Sequence, residues 1–132
     1  MQNCSLTIVT DVDGEETTFS CKAEMELTPF SARLRYMQND AVTVLFFKNQ
    51  TVTVAREGDY CMQLTLKEGQ TLDGKLILNG NEGIFPVQTQ KVAYVITEKS
   101  LLASLHYKLL FDGGAQEMKL RLNARETYSE EK

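Results

Sequence analysis

The chain has no tryptophan, one histidine, two prolines and three cysteines in 132 residues. Each scarcity closes a route. Cys4, Cys21 and Cys61 are odd in number and widely spaced, which fits neither a secreted disulfide framework nor the paired spacing of a zinc site. No run approaches the roughly 20 apolar residues of a membrane-spanning helix. The opening MQNCSLTIVTD has no basic segment ahead of an apolar stretch, so no secretory signal is expected and a reducing cytoplasm is the expected compartment. Cations do not dominate: 14 Lys and Arg against 18 Asp and Glu give a net charge of −4. That balance is a poor match for nucleic-acid phosphates or an anionic membrane. G-x-S-x-G, Walker and dinucleotide fingerprints are all missing, and no cofactor or metal is expected.

What is present is alternation. Hydrophobic residues make up 42% of the chain, enough for one packed core. In TFSCKAEMEL, Phe19, Cys21, Ala23, Met25 and Leu27 face one way and Thr18, Ser20, Lys22, Glu24 and Glu26 the other, the pattern of a half-buried strand. Asp13-Gly14 before it signals a hairpin, and Thr28-Pro29 ends it. Similar runs follow: ARLRYM, AVTVLFFK, TVTVARE, YCMQLTLK, KLILN, IFPVQTQKVAYVI, LLASLHYKLLF and EMKLRLNAR. Short turn signals separate them, which predicts an all-β sandwich or barrel of consecutive hairpins. SLLASLHYKLLF is rich in helix formers, but its odd positions alternate and Asp112-Gly113 follows, so it is assigned to a strand. Residues 1–126 form the expected domain and 127–132 a polar tail.

Registers follow from turn chemistry. A two-residue turn at Asp112-Gly113 sets Tyr107 opposite Met118, Leu105 opposite Leu120, Ala103 opposite Leu122 and Lys108 opposite Glu117, avoiding like-charge pairs. A three-residue loop over Glu57-Gly58-Asp59 sets Val54 opposite Met62, Val52 opposite Leu64 and Arg56 opposite Tyr60. In the long run, Phe85, Val87 and Thr89 keep one phase, and Val92, Tyr94 and Ile96 the other. Gln90-Lys91 is therefore expected to form a bulge that bends the strand.

These features resemble the YwiB-like family of bacterial β-barrels. The likeness runs from about Arg33 to the last hairpin. It comprises LRY (Leu34–Tyr36), the R-x-G of Arg56-Glu57-Gly58, LTLKEG ending at Gly69, Gly83-Ile84-Phe85-Pro86-Val87-Gln88-Thr89, and a closing hairpin with Tyr107. Met37-Gln38 stand where the family pattern tends to acidic residues. The resemblance implies a single antiparallel up-and-down calycin/lipocalin-like β-barrel of roughly eight to ten strands. It implies no activity. Lipocalins proper usually carry a G-x-W, absent here, and fatty-acid-binding proteins insert two helices between their first strands, for which this chain has no segment.

A barrel of that size is filled by side chains or holds one small ligand. The expected inner face mixes apolar groups with the polar tips of Tyr36, Arg56, Thr89 and Tyr107, which suits a small, partly apolar, anionic molecule with Arg56 at the mouth. The alternative for Arg56 is a stem on the rim with its head in water. VTVLFF is apolar on both faces, so Val42, Val44 and Phe46, or Leu45 and Phe47, need cover, from a homodimer partner or from the barrel itself. A cysteine nucleophile rests on Cys61 alone, because Cys21 faces inward and His106 outward. Asp11, Asp13, Glu15 and Glu16 crowd one turn without an EF-hand pattern, and solvation explains them better than calcium. Lys108, Lys119, Arg121 and Arg125 form a basic stripe on one outer face, without the interleaved aromatics that stack bases.

Overall fold

The computed structural model describes residues 2–127, and its elements are all strands. They are β1 (Gln2–Val12), β2 (Glu15–Leu27), β3 (Ser31–Gln38), β4 (Ala41–Lys48), β5 (Thr51–Glu57), β6 (Cys61–Lys67), β7 (Thr71–Leu78), β8 (Asn81–Ile96), β9 (Ser100–Phe111) and β10 (Gly114–Glu126). Each runs antiparallel to the next, and β1 also pairs with β10, so the sheet closes into a ten-stranded up-and-down barrel. SLLASLHYKLLF is β9. The expected tail beyond Thr127 lies outside the described residues.

Turn chemistry explains the meander. Asp13-Gly14, Asn39-Asp40, Asn49-Gln50 and Asn79-Gly80 all have positive φ at both positions. That pair of left-handed residues has the twist that joins antiparallel strands tightly, and Asn, Asp and Gly tolerate it best. The Asp112-Gly113 hairpin has the expected register throughout, from Lys108↔Glu117 to Ala103↔Leu122.

The barrel has two unlike ends. The upper end carries the β1–β2, β3–β4, β5–β6, β7–β8 and β9–β10 turns; the lower end carries the others. In the lower half most of the inward row is buried, with Leu27, Tyr94 and Ile96 partly exposed near the rim. Leu6, Met25, Leu34, Phe47, Val52, Leu66 and Leu101 are fully buried, and Phe47 meets Tyr94 edge-on with ring centroids 5.3 Å apart. Towards the upper end, the inward side chains Phe19, Tyr36, Thr43, Arg56, Met62, Leu76, Phe85 and Met118 are only half-buried. These upper inward side chains are in part open to solvent, while Thr89 and Tyr107 below them are buried. The apolar doubling of VTVLFF resolves the same way: Leu45 and Phe47 are inside, and Val42, Val44 and Phe46 lie on the outer wall.

Two seams are incomplete. The β2–β3 ladder spans only Glu24↔Arg35 to Leu27↔Ala32, so β2 from Glu15 to Ala23 is paired on its β1 side alone. The β6–β7 ladder stops at Gln63↔Lys75. Beyond it Gly74 lies flat in the wall, where a Cβ would meet Leu64, Phe85 and Val87 at 2.9–3.0 Å. The β6–β7 turn reaches past β7 to β8, where Gly69 N–H donates to the Thr89 carbonyl and Thr89 N–H to the Gln70 carbonyl, at 2.9 and 3.0 Å.

The β5–β6 register corrects the three-residue loop. Val54 faces Leu64, Val52 faces Leu66, and Arg56 faces Met62. The loop is longer because Tyr60 leaves the ladder. Its ring lies under the Arg56 guanidinium, 3.7 Å from Cζ to the ring centre, and its carbonyl accepts from the same group at 2.8 Å. A slip of two residues leaves the faces unchanged, so Arg56 still points inward.

Candidate ligand site in the barrel interior

Thr89 is the deepest polar side chain of the candidate set. It stands on β8 opposite Tyr107, just before the shift in pairing at which Lys91 takes up with His106. Gln90 is thus the extra residue. The bulge turns Thr89 and Val92 both inward, and it displaces the Val92 N–H, which donates to the Glu68 carboxylate at 2.8 Å. Thr89 is 2% exposed and its Oγ1 has no hydrogen-bond partner among the described residues. An unpaired hydroxyl at that depth costs about 1–3 kcal/mol.

Tyr107 and Tyr36 project from β9 and β3, on far sides of the barrel. Burial pushes the Tyr107 hydroxyl up to about 12, with a smaller contribution from Tyr36. Tyr36 is also raised, first by burial, against a lowering hydrogen bond with Thr43 and the attraction of Arg56. The two phenols therefore share one low-dielectric region with the guanidinium near it. Phe19 leans on Tyr36 with ring centroids 6.1 Å apart and fills the upper part of the β2–β3 seam. Cys21, half-buried on the same wall, has its thiol raised by burial.

Arg56 closes the set at the mouth. Its side chain is 19% exposed, and Nη2 meets Asp59 Oδ1 at 2.9 Å. The Arg56 hydrogen bond holds the Asp59 carboxyl below its usual range. The guanidinium is thus fixed by a carboxylate, a carbonyl and a ring, with donors left over. All four face the interior: Arg56 and Tyr36 flank Thr43 in the ladder, and Tyr107 stands opposite Thr89 on the far wall. Sequence reasoning missed Thr43, although it shares the phase of Leu45 and Phe47. It also missed Glu68, whose role exists only because of the bulge.

The other candidate features disperse. Cys61 is on the outer phase of β6, and β7 and β8 separate that strand from β9 and His106. His106 Nε2 meets Glu117 Oε2 at 2.8 Å, and that hydrogen bond lowers the Glu117 pKa. Within the basic stripe Arg121 pairs with Glu16 at 3.1 Å. In the acidic turn, Asp11 Oδ1 accepts from Gly14 N–H at 2.7 Å and Asp13 Oδ1 from Glu117 N–H at 2.8 Å, so these carboxylates build the turn. Surface clefts lie elsewhere: about 630 Å³ at the lower rim beside Leu27, Pro29 and Ile96, and about 340 Å³ outside Ile84, Pro86 and Phe111. Both are broadly open, and among the described residues neither is lined by an unpaired buried polar side chain.

Fold and site together define a small closed β-barrel with inward polar groups at one mouth and in its core. Residues 3–123 match the DUF1934 family, a domain of unknown function, and the chain belongs to that family. The crystal structure of the ywiB protein from Bacillus subtilis superposes with a TM-score of 0.83 over 96% of this chain and 93% of that one, at 15% identity. Shared fold is what that likeness shows. No curated protein matches the chain.

Proposed function

We propose that the protein binds a small, partly apolar molecule through the upper mouth of the barrel, without catalysing a reaction. The observation that carries this reading is the Thr89 hydroxyl, buried, inward-facing and unpaired beside the Tyr107 phenol. A buried polar atom without a partner is a site at which a ligand atom gains a hydrogen bond at no loss of an existing one. The apolar flank comes from Phe19, Met62 and Phe85. The interior offers hydroxyls and no full charge at its depth, so a neutral carbonyl or hydroxyl fits at Thr89. Any anionic group belongs at the mouth, where Arg56 has donors to spare. The free thiols of Cys4 and Cys21 suit a reducing cytoplasm.

Native mass spectrometry of protein purified from its own host is expected to show a bound small molecule. With that molecule identified, Thr89→Val should weaken binding about tenfold or more, in keeping with one lost buried hydrogen bond. The same change should leave the unliganded protein as stable or about 1 kcal/mol more stable, since a methyl replaces an unpaired hydroxyl. Arg56→Ala should lower affinity only for ligands that carry an anion. Protein that emerges bare, or a Thr89→Val variant with undiminished affinity, would remove the reading.

A further inference from the structure

We infer that the upper edge of β2 pairs with the same edge of a second copy, giving a twofold dimer in which one sheet runs from barrel to barrel. Two independent observations carry this. The first is the edge itself. From Glu15 to Ala23, β2 has a ladder to β1 and none to β3 among the described residues, and its polar side chains there are exposed. Unpaired strand backbone of that length is a template for another strand, and isologous antiparallel pairing satisfies both copies at once.

The second is the charge and side-chain order along the edge. Antiparallel partners present the same face, so a twofold axis through such a pair must pass through a residue. Phe19 at the axis opposes its own copy, and Glu16 and Lys22 lie three residues to either side of it. Each copy's Glu16 then stands opposite the other's Lys22, twice over, with Thr18 opposite Ser20 between them. A shift of the axis to Ser20 sets Glu16 against Glu24, and a shift to Thr18 leaves both charges unmatched. On the inner face each Phe19 ring keeps its contact with Tyr36 of its own barrel, so the pairing rests on the backbone edge and the outer-face charges. Exposed charges on an edge ordinarily deter pairing; here they have opposite signs in a self-complementary order, which selects one partner and one register. The Glu16–Arg121 ion pair is mostly solvent-exposed, so the carboxylate can serve Lys22 of the second copy as well.

Sedimentation equilibrium of the full chain at low salt, across micromolar to hundred-micromolar protein, tests this. A monomer–dimer equilibrium is expected. Glu16→Lys or Lys22→Glu, each of which opposes like charges twice, should raise the dimer dissociation constant at least tenfold, and the double exchange should restore it. Circular dichroism checks that each variant keeps its fold, which two exposed positions should allow. A wild-type monomer at every concentration overturns the proposal. So does a dimer indifferent to the exchanges, or a monomer carrying a co-purified peptide on the edge. None of these outcomes depends on whether the interior binds a ligand.

Discussion

Phe47→Ala is expected to lower stability by about 3–5 kcal/mol, the largest loss from any single truncation of this core. Phe47 is the bulkiest fully buried side chain, and its ladder neighbours are Ala32 and Val52. Small neighbours on a closed wall cannot swing in to fill the void, so the cavity term stays with the lost transfer energy. Tyr94 would lose the ring it packs against while its hydroxyl is held by the Gln50 N–H at 3.0 Å, which restrains it from collapsing inward. Urea unfolding followed by circular dichroism should show a lower midpoint with an unchanged slope. Phe46→Ala is the control. That ring is 37% exposed on the outer wall and its loss should cost well under half as much.

The second large effect is alkaline. Tyr107 holds its proton up to about 12 in the folded barrel, against about 10 in an unfolded chain. The folded state therefore binds the proton more tightly, and unfolding releases it. This contribution is fully present below about pH 10 and is lost as pH rises towards about 12. The whole difference corresponds to roughly 2–3 kcal/mol. Cys4, raised to about 11 by burial first and by Cys21 second, adds a loss of the same sign that begins nearer pH 9. Stability should thus fall steeply in alkali. In Tyr107→Phe the fall between pH 10 and 12 should be shallower, with the change at pH 8 within about 1 kcal/mol, because the phenol has no hydrogen-bond partner among the described residues to lose. Denaturant midpoints across that pH range decide it, and a Tyr107→Phe curve parallel to wild type would show that the phenol does not titrate this way.

What the sequence disclosed and what it withheld divide by mechanism. The β9–β10 register was legible because a tight turn and facing charges are local and point to one answer. The β8 bulge was legible because a change of phase inside one strand has few other causes. The β5–β6 register was not legible. Alternation allows registers two residues apart equally, and the choice between them goes with the contact of Arg56 and the Tyr60 ring in the loop. Neither incomplete seam is visible in alternation, because a strand with one ladder and a strand with two show the same period. The inward placement of Arg56, Tyr36, Thr89 and Tyr107 followed from phase; the unpaired state of Thr89 depends on what stands across the barrel. Cys4 is fully buried in phase with Leu6 and Ile8, a placement the sequence reading did not assign.

Nine of the ten strand interfaces join neighbours along the chain, and only β1–β10 joins residues more than a hundred positions apart. Hairpin steps need little loop closure, whereas the tenth interface must wait until the chain ends meet. The ring therefore has a kinetic weak point at a seam whose ladder is continuous once formed. Pulse-labelled hydrogen exchange during refolding should find the β1–β10 amides protected after those of β3–β4 and β4–β5. An intermediate opened at that seam would expose Cys4, Leu6 and Ile8 together, a sticky strip for as long as the ring stays open.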